Sequence, residues 1–259
     1  MIKFFNSLTF KQWEKINEDY INLNMQNRID RRIIIAFLLF TFVLISLKYF
    51  GKGPAFYLLF GNTFHSFPYP RIYSHLYWAL FRIICYFVIP AVIIKYLYKE
   101  NLSDYGLRID RSPKILFLYL VMFFAVFPFV YAASQNPGFI RTYPFYKYAA
   151  QSWNQLIIWE SAYALQFFSL EFFFRGFILY TFARYIGAYA IFFMSVPYTM
   201  IHFQKPFPET LGAIFAGVFL GTLALRTRSI FGGVIIHIAV AWSMDLTALF
   251  QKGLLQRLF

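Results

Sequence analysis

The chain has 259 residues, of which 60% are hydrophobic and only 14% are charged, and its mean hydropathy is +0.55. A typical globular domain is about 25% charged, and 36 Phe and 20 Tyr are more aromatic surface than a soluble two-layer core can bury. Composition therefore excludes a water-soluble fold. The net charge of +13 is spread over loops, which favours contacts with membrane lipids and argues against nucleic acid as a partner.

The first 32 residues mix polar and aromatic side chains at helical spacing, including Trp13, Ile16 and Tyr20. They predict an interfacial amphipathic helix rather than a cleaved signal peptide. A membrane span takes about 20 apolar residues. Seven stretches reach or approach that length: 33–47, 76–97, 115–133, 155–183, 186–203, 210–225 and 230–250.

These stretches predict an all-α fold, a polytopic transmembrane helical bundle of about seven to eight spans. We divide it into an interfacial segment (1–32), an N-terminal transmembrane hairpin (33–99) and a membrane core (100–259). The N-terminal segment and the alternate loops contain the larger share of Lys and Arg. The positive-inside rule then predicts an integral protein of the inner or plasma membrane with a cytoplasmic N-terminus.

Ionisable side chains at membrane depth are candidate functional residues, because each costs at least about 2.5 kcal/mol at a helix centre. Glu171 and Arg175 are four residues apart and share a helix face, so they can form an ion pair that is either purely structural or part of a site. The candidates are Arg82, Glu160, Glu171, Arg175, His202, His237 and Asp245.

The two histidines differ in their surroundings. His202 follows Pro197, which can bend a helix towards a cavity, although a histidine near a span end is often only interfacial. His237 lies inside an apolar run and favours a polar cavity. Two imidazoles and a carboxylate can hold Zn²⁺ with one position open for water, or the carboxylate can activate a water without metal. Both mechanisms remain open at this point.

Three segments together resemble a known family. Residues 170–179 contain Glu171, four phenylalanines and Arg175; Tyr198 precedes His202 by four residues; and His237 lies further on, after a glycine-containing helix. Their order and spacing are similar to those of the CPBP (Abi-type) intramembrane proteases, which include CAAX prenyl endopeptidases and bacteriocin-processing or self-immunity proteins. The resemblance covers about residues 100–250.

The resemblance implies an endopeptidase that cleaves a peptide bond in or near the membrane, with a peptide or lipidated protein as substrate. Glu171 would be the general base and Arg175 would fix its carboxylate. His202 and His237 would be metal ligands, together with Glu171, or would orient water and stabilise the oxyanion. The cofactor is Zn²⁺ in the first case and none in the second.

Two positions depart from the family pattern. The family has a second glutamate where this chain has Leu170, and Asn or Asp where it has Ala241. Either Glu171 has taken over, or Asp245 or Glu160 has, or the chain is an inactive relative that binds lipidated or transmembrane peptides as an immunity or assembly factor. A transporter is a weaker alternative, because no duplicated half is visible.

Overall fold

The computed structural model describes residues 9–21, 30–110 and 112–258. This part of the chain is 80% helical, with no strands, as the composition predicts. Residues 1–8 and 22–29 of the predicted interfacial segment lie outside it. Within the described ranges we number ten helices: α1 Phe10–Tyr20, α2 Arg31–Tyr49, α3 Gly53–Phe60, α4 Pro70–Tyr98, α5 Pro113–Ser134, α6 Pro137–Thr142, α7 Trp153–Ile186, α8 Tyr189–Met200, α9 Phe207–Thr227 and α10 Phe231–Gln251.

Six of these described helices are long and apolar enough to cross a bilayer: α2, α4, α5, α7, α9 and α10. The described residues thus contain six candidate spans, where the sequence predicts seven to eight. The stretch 186–203 contains only the 12-residue helix α8, about 18 Å long, against a hydrocarbon core of about 30 Å. Its length is limited at one end by Gly187, which has a positive φ of 54°, and at the other by the turn that follows Met200.

Helix α7 is the most enclosed of the six. In its most apolar 18-residue stretch, 78% of the residues are buried, whereas in the corresponding stretch of α5 only 11% are buried. Its 34 residues would extend about 51 Å, which exceeds the hydrocarbon core and requires tilt or extension beyond it. A π-helical segment, Phe172–Ile178, interrupts the α-helical hydrogen bonding. Such segments widen a helix locally and are frequent at functional sites.

The chain divides into two compact units that interleave along the sequence. The first contains Met1–Phe42, Ile89–Arg111 and Glu171–Gly233, and the second contains Val43–Val88, Ser112–Leu170 and Val234–Phe259. Each of the helices α2, α4, α7 and α10 is therefore divided between the two units.

In the first unit, α8 packs closely on α9 along a stripe of small residues. A Cβ atom at Gly217 would lie 2.6 Å from Oγ of Ser195, and one at Gly221 would lie 3.2 Å from side-chain atoms of Ile191 and Met194. The sequence predicts this stripe as a packing surface, and the structure confirms it. Helix α1 rests on α9, where Nε1 of Trp13 donates to Oγ1 of Thr222 at 3.1 Å.

Charged segments also meet in the first unit. Oε1 of Glu100 accepts hydrogen bonds from Nη1 of Arg32 at 2.6 Å and from Nη1 of Arg184 at 2.7 Å. Partial burial raises the pKa of Asp30, but hydrogen bonds from Arg32 and Tyr185 outweigh it and lower that pKa to about 2. The basic start of α2, the loop after α4 and the end of α7 are thus joined at one side of the unit.

The second unit has an aromatic core. Stacked and tilted rings extend from Tyr146 through Trp159 and Tyr163 to Phe167. This cluster fixes the first half of α7 against the second half of α10. Its fully or nearly buried members are Ile72, Tyr146, Ala149, Ala150, Leu156, Trp159, Tyr163, Phe167, Ala241, Leu249 and Leu258.

Candidate active site

Glu171 and Arg175 form a fully buried ion pair in the first unit. Both side chains are 0% exposed, and Nη1 of Arg175 lies 2.6 Å from Oε1 of Glu171. The four-residue spacing predicts this contact, and the structure confirms it. Glu171 is the last residue before the π-helical segment and Arg175 lies inside it. The local widening of α7 therefore occurs where the two charges are placed.

Two further groups hold the guanidinium of Arg175. Its Nη2 donates to the carbonyl oxygen of Ala216 on α9 at 3.4 Å. Its Cζ lies 4.0 Å from the centre of the Tyr198 ring on α8, which is cation–π distance. Arg175 thus connects α7 to both neighbouring helices. Neither contact was visible in the sequence, because each depends on how α8 and α9 are rotated about their own axes.

The backbone of Tyr198 also determines which ring nitrogen of His202 carries a proton. Nδ1 of His202 lies 2.8 Å from the carbonyl oxygen of Tyr198. Because a carbonyl oxygen can only accept, Nδ1 carries the proton; in the neutral form of the ring this leaves Nε2 as an acceptor. Oγ1 of Thr210 donates to the carbonyl oxygen of His202 at 2.7 Å, which ties the turn after α8 to α9. His202 is 6% exposed.

Gly233, at the start of α10, approaches the same carboxylate. A Cβ atom at this position would lie 2.6 Å from Oε2 of Glu171. The first unit therefore places Glu171, Arg175, Tyr198, His202 and Gly233 in one connected group. Sequence reasoning missed Gly233, although a pair of glycines opening an apolar helix was the signal available.

Comparison with known proteins places the residues of this site within a family match. Residues 152–243 match the family described as type II CAAX prenyl endopeptidase Rce1-like. These residues form an Rce1-like domain. It covers about a third of the chain, contains all four predicted site residues, and confirms the resemblance to CPBP-type membrane proteases. No curated protein and no solved structure gave a significant match.

The second predicted histidine of the Rce1-like domain, His237, belongs to the second unit. Its ring centre lies 4.2 Å from that of Phe167, and the side chain is only partly buried. Both residues that depart from the family pattern are buried as well as apolar. Leu170 is 5% exposed, and Ala241 is 3% exposed and packs in the aromatic core of the second unit.

The two alternative acids are engaged with each other in the second unit. Glu160 and Asp245 lie close enough for their carboxyl groups to interact electrostatically. Oδ2 of Asp245 also accepts from Nε1 of Trp159 at 2.8 Å. Asp245 is 0% exposed. Glu160 and Asp245 are therefore a pair of neighbouring acids in the second unit.

The predicted zinc ion needs a set of at least three ligands. Across residues 9–21, 30–110 and 112–258, no group of three or more His, Cys, Asp or Glu side chains is placed so that it could hold a metal ion. Zn²⁺ bound by Glu171, His202 and His237 stays a prediction from the resemblance.

Proposed function

We propose that the chain is an intramembrane endopeptidase that hydrolyses a peptide bond of a lipidated or membrane-associated polypeptide. The observation that carries the proposal is the fully buried Glu171–Arg175 pair in the π-helical segment of the Rce1-like domain. A buried ion pair rarely adds stability over well-packed apolar residues. A carboxylate retained at this position of a protease-type domain is better explained by chemistry than by folding.

In this proposal Glu171 is the general base. It removes a proton from water, the resulting hydroxide oxygen bonds to the peptide carbonyl carbon, and the C–N bond breaks as Glu171 returns the proton to the leaving amine. Arg175 orients the carboxylate through a charge-assisted hydrogen bond to Oε1. Each turnover consumes one water and restores Glu171 to its starting state.

The histidines have different proposed roles. Because Nδ1 of His202 is bonded to the carbonyl of Tyr198, its neutral ring can only accept at Nε2, which suits orienting the attacking water. His237 is the proposed oxyanion-stabilising group. Proton donation to an oxyanion from a neutral His202 would require the opposite tautomer and loss of the 2.8 Å bond.

The proposal also covers the orientation of the chain in the membrane and the membrane in which it lies. The N-terminus is assigned to the cytoplasm, in the inner or plasma membrane, by the positive-inside rule. The grouping of Arg32, Glu100 and Arg184 supports it, because these residues come from segments that the rule places on one side. Membrane lipids and a peptide or lipidated protein are the proposed partners.

A second candidate function has an observation in its favour. Leu170 and Ala241 are both buried, and Ala241 packs in the aromatic core of the second unit, so apolar side chains fill the two positions at which the family has polar ones. An inactive relative that binds lipidated or transmembrane peptides, as an immunity or assembly factor, would tolerate both changes.

Cleavage of a model lipidated peptide by the purified full-length chain in detergent, followed by mass spectrometry of the products in ¹⁸O-labelled water, distinguishes these functions. We expect one ¹⁸O atom in the new carboxylate and loss of cleavage in Glu171→Gln. Glu14→Gln is the matched control, since it makes the same chemical change on the exposed face of α1. Absence of cleavage by the folded wild-type protein, with retained binding of the peptide, would favour the inactive relative.

A further inference from the structure

Two lysines of the second unit donate to neighbouring carbonyl oxygens. Nζ of Lys147 donates to the carbonyl oxygens of Arg141 at 2.6 Å and Thr142 at 2.7 Å. Nζ of Lys252 donates to the carbonyl oxygen of the next residue, Tyr143, at 2.6 Å. Both ammonium groups therefore lie at the carboxyl end of α6. Since an ammonium has three donors, one N–H of Lys147 and two of Lys252 remain for a ligand.

Two arginines adjoin the same segment. Cζ of Arg71 lies 4.3 Å from the ring centre of Tyr148, the residue after Lys147. The side chain of Arg141 is exposed, as are those of Arg71 and Lys147, and Lys252 is partly exposed. A ligand outside the protein can therefore reach all four cations, which we call the basic patch.

The basic patch has no carboxylate to neutralise it at the protein surface. The second unit contains only two acidic residues in its described part, Glu160 and Asp245. The carboxylate oxygens of Glu160 are enclosed by protein and Asp245 is 0% exposed, and no ion pair joins the patch to a described carboxylate. Burial and the ammonium of Lys252 lower the pKa of Lys147 to about 8, although Asp245 acts in the opposite direction. A bound anion would therefore relieve the repulsion within the patch.

The basic patch lies where four candidate spans have an end. Residues 135–152 connect the end of α5 to the start of α7, Arg71 is the second residue of α4, and Lys252 follows the last residue of α10. Tyr131, in the last turn of α5, is 45% exposed, and Trp153, the first residue of α7, is 46% exposed. Tyr and Trp are favoured at the level of lipid headgroups, so these rings place the patch at that level.

The neighbouring helix α5 offers a surface for acyl chains. In its most apolar 18-residue stretch only 11% of the residues are buried, so apolar side chains are accessible on nearly every side of the helix. A ligand with an anionic head and apolar chains fits the patch and this helix together better than a soluble anion does, because burying the chains adds to the attraction between charges.

We propose that the basic patch binds the phosphate of an anionic phospholipid, with Lys147 and Lys252 donating to its oxygens and with Arg71 and Arg141 adding attraction. The patch contains none of the residues proposed for proteolysis, and the proposal does not depend on that activity.

The test uses the full chain, purified and delipidated in a non-ionic detergent at pH 7. Three probes are titrated: dioctanoyl phosphatidylglycerol, dioctanoyl phosphatidylcholine, whose choline neutralises the phosphate, and inorganic phosphate. The midpoint of thermal unfolding and the number of lipids retained in native mass spectrometry are measured. Wild type is compared with Lys147→Gln, Arg71→Gln and the control Lys114→Gln, which removes an exposed cation at the other end of α5.

We expect phosphatidylglycerol to raise the unfolding midpoint of wild type and of Lys114→Gln, and phosphatidylcholine to have a smaller effect. Lys147→Gln should increase the half-saturating concentration of phosphatidylglycerol about tenfold, as loss of a charge-assisted hydrogen bond implies. Arg71→Gln should increase it about fivefold, because one cation near an anionic headgroup contributes less without a direct bond.

Four results would overturn the proposal. One is the absence of any effect of phosphatidylglycerol on wild type, and another is an unchanged titration in Lys147→Gln, or in Arg71→Gln if the lysine variant does not fold. The third is an equal effect of phosphatidylcholine, or an equal loss in Lys114→Gln, which would show that the patch is not selective. The fourth is saturation by inorganic phosphate at a lower concentration than by the lipid, which would make the ligand a soluble anion.

Discussion

The carboxylate of Glu171 lies directly against the backbone of Gly233. A Cβ atom on residue 233 would come within 2.6 Å of Oε2, so any other residue there would displace the carboxylate or the helix. A glycine inside a helix costs about 0.5–1 kcal/mol relative to alanine. The chain accepts this cost where α10 meets the candidate base, which is consistent with a carboxylate positioned from both sides, by Arg175 at Oε1 and by Gly233 at Oε2.

Replacing Gly233 with alanine tests this relationship. We expect Gly233→Ala to reduce peptide cleavage more than tenfold, because the added methyl group moves Oε2 from its place. Gly212→Ala is the control, since a Cβ there meets nothing within 4 Å and alanine should stabilise the exposed helix by about 0.5–1 kcal/mol. Wild-type cleavage by Gly233→Ala would show that the close approach is irrelevant to activity.

Removing the charge of Arg175 should affect folding as well as activity. Arg175→Ala leaves the buried Glu171 carboxylate unpaired, a change that typically costs about 3–5 kcal/mol. We expect a low yield of folded protein by size-exclusion chromatography, and partial recovery with Arg175→Lys, which lacks the bidentate fork.

Arg108→Ala is a matched control for Arg175→Ala. It removes an ion pair of the same four-residue spacing with Asp104, but both side chains are exposed, so the loss should be below about 1 kcal/mol. Equal yields from the two variants would show that the buried pair is incidental.

Restoring the family's polar residues separates the two candidate functions. If the chain is a protease, Leu170→Glu combined with Ala241→Asn should raise the cleavage rate per folded molecule, since one catalytic hydrogen-bonding group is commonly worth about 10²–10³ in rate. Both new side chains enter buried positions, so thermal stability should fall. A less stable variant with no gain in cleavage favours the inactive relative.

Acid should weaken the first unit through Asp30. Its pKa is lowered to about 2 from an ordinary value of 3.8. A depressed acid stabilises the fold above its unfolded pKa, and this stabilisation is lost as the pH falls through the folded pKa. The unfolding midpoint of wild type should therefore drop between about pH 4 and pH 2, and that of Asp30→Asn should change less over this range. Parallel curves would contradict a stabilising role.

Some of this arrangement could be predicted from the sequence because it is local. Four-residue spacing in a helix places two side chains on one face, so the Glu171–Arg175 pair was predictable. Hydropathy likewise predicted a helical membrane protein. It did not predict that α8 is too short to span a membrane, because average hydropathy does not record where a helix ends, and here the ends depend on Gly187 and on the turn after Met200.

What the sequence alone determined is therefore the membrane location, the helical class and the contacts made within one helix. The tertiary structure decided the contacts between helices: Tyr198 beneath Arg175, Gly233 against Glu171, and Trp159 on Asp245, 86 residues away. These helices are apolar on nearly every side, so periodicity does not indicate which face meets which neighbour. Packing of side-chain shapes and the need to satisfy each buried charge make that choice.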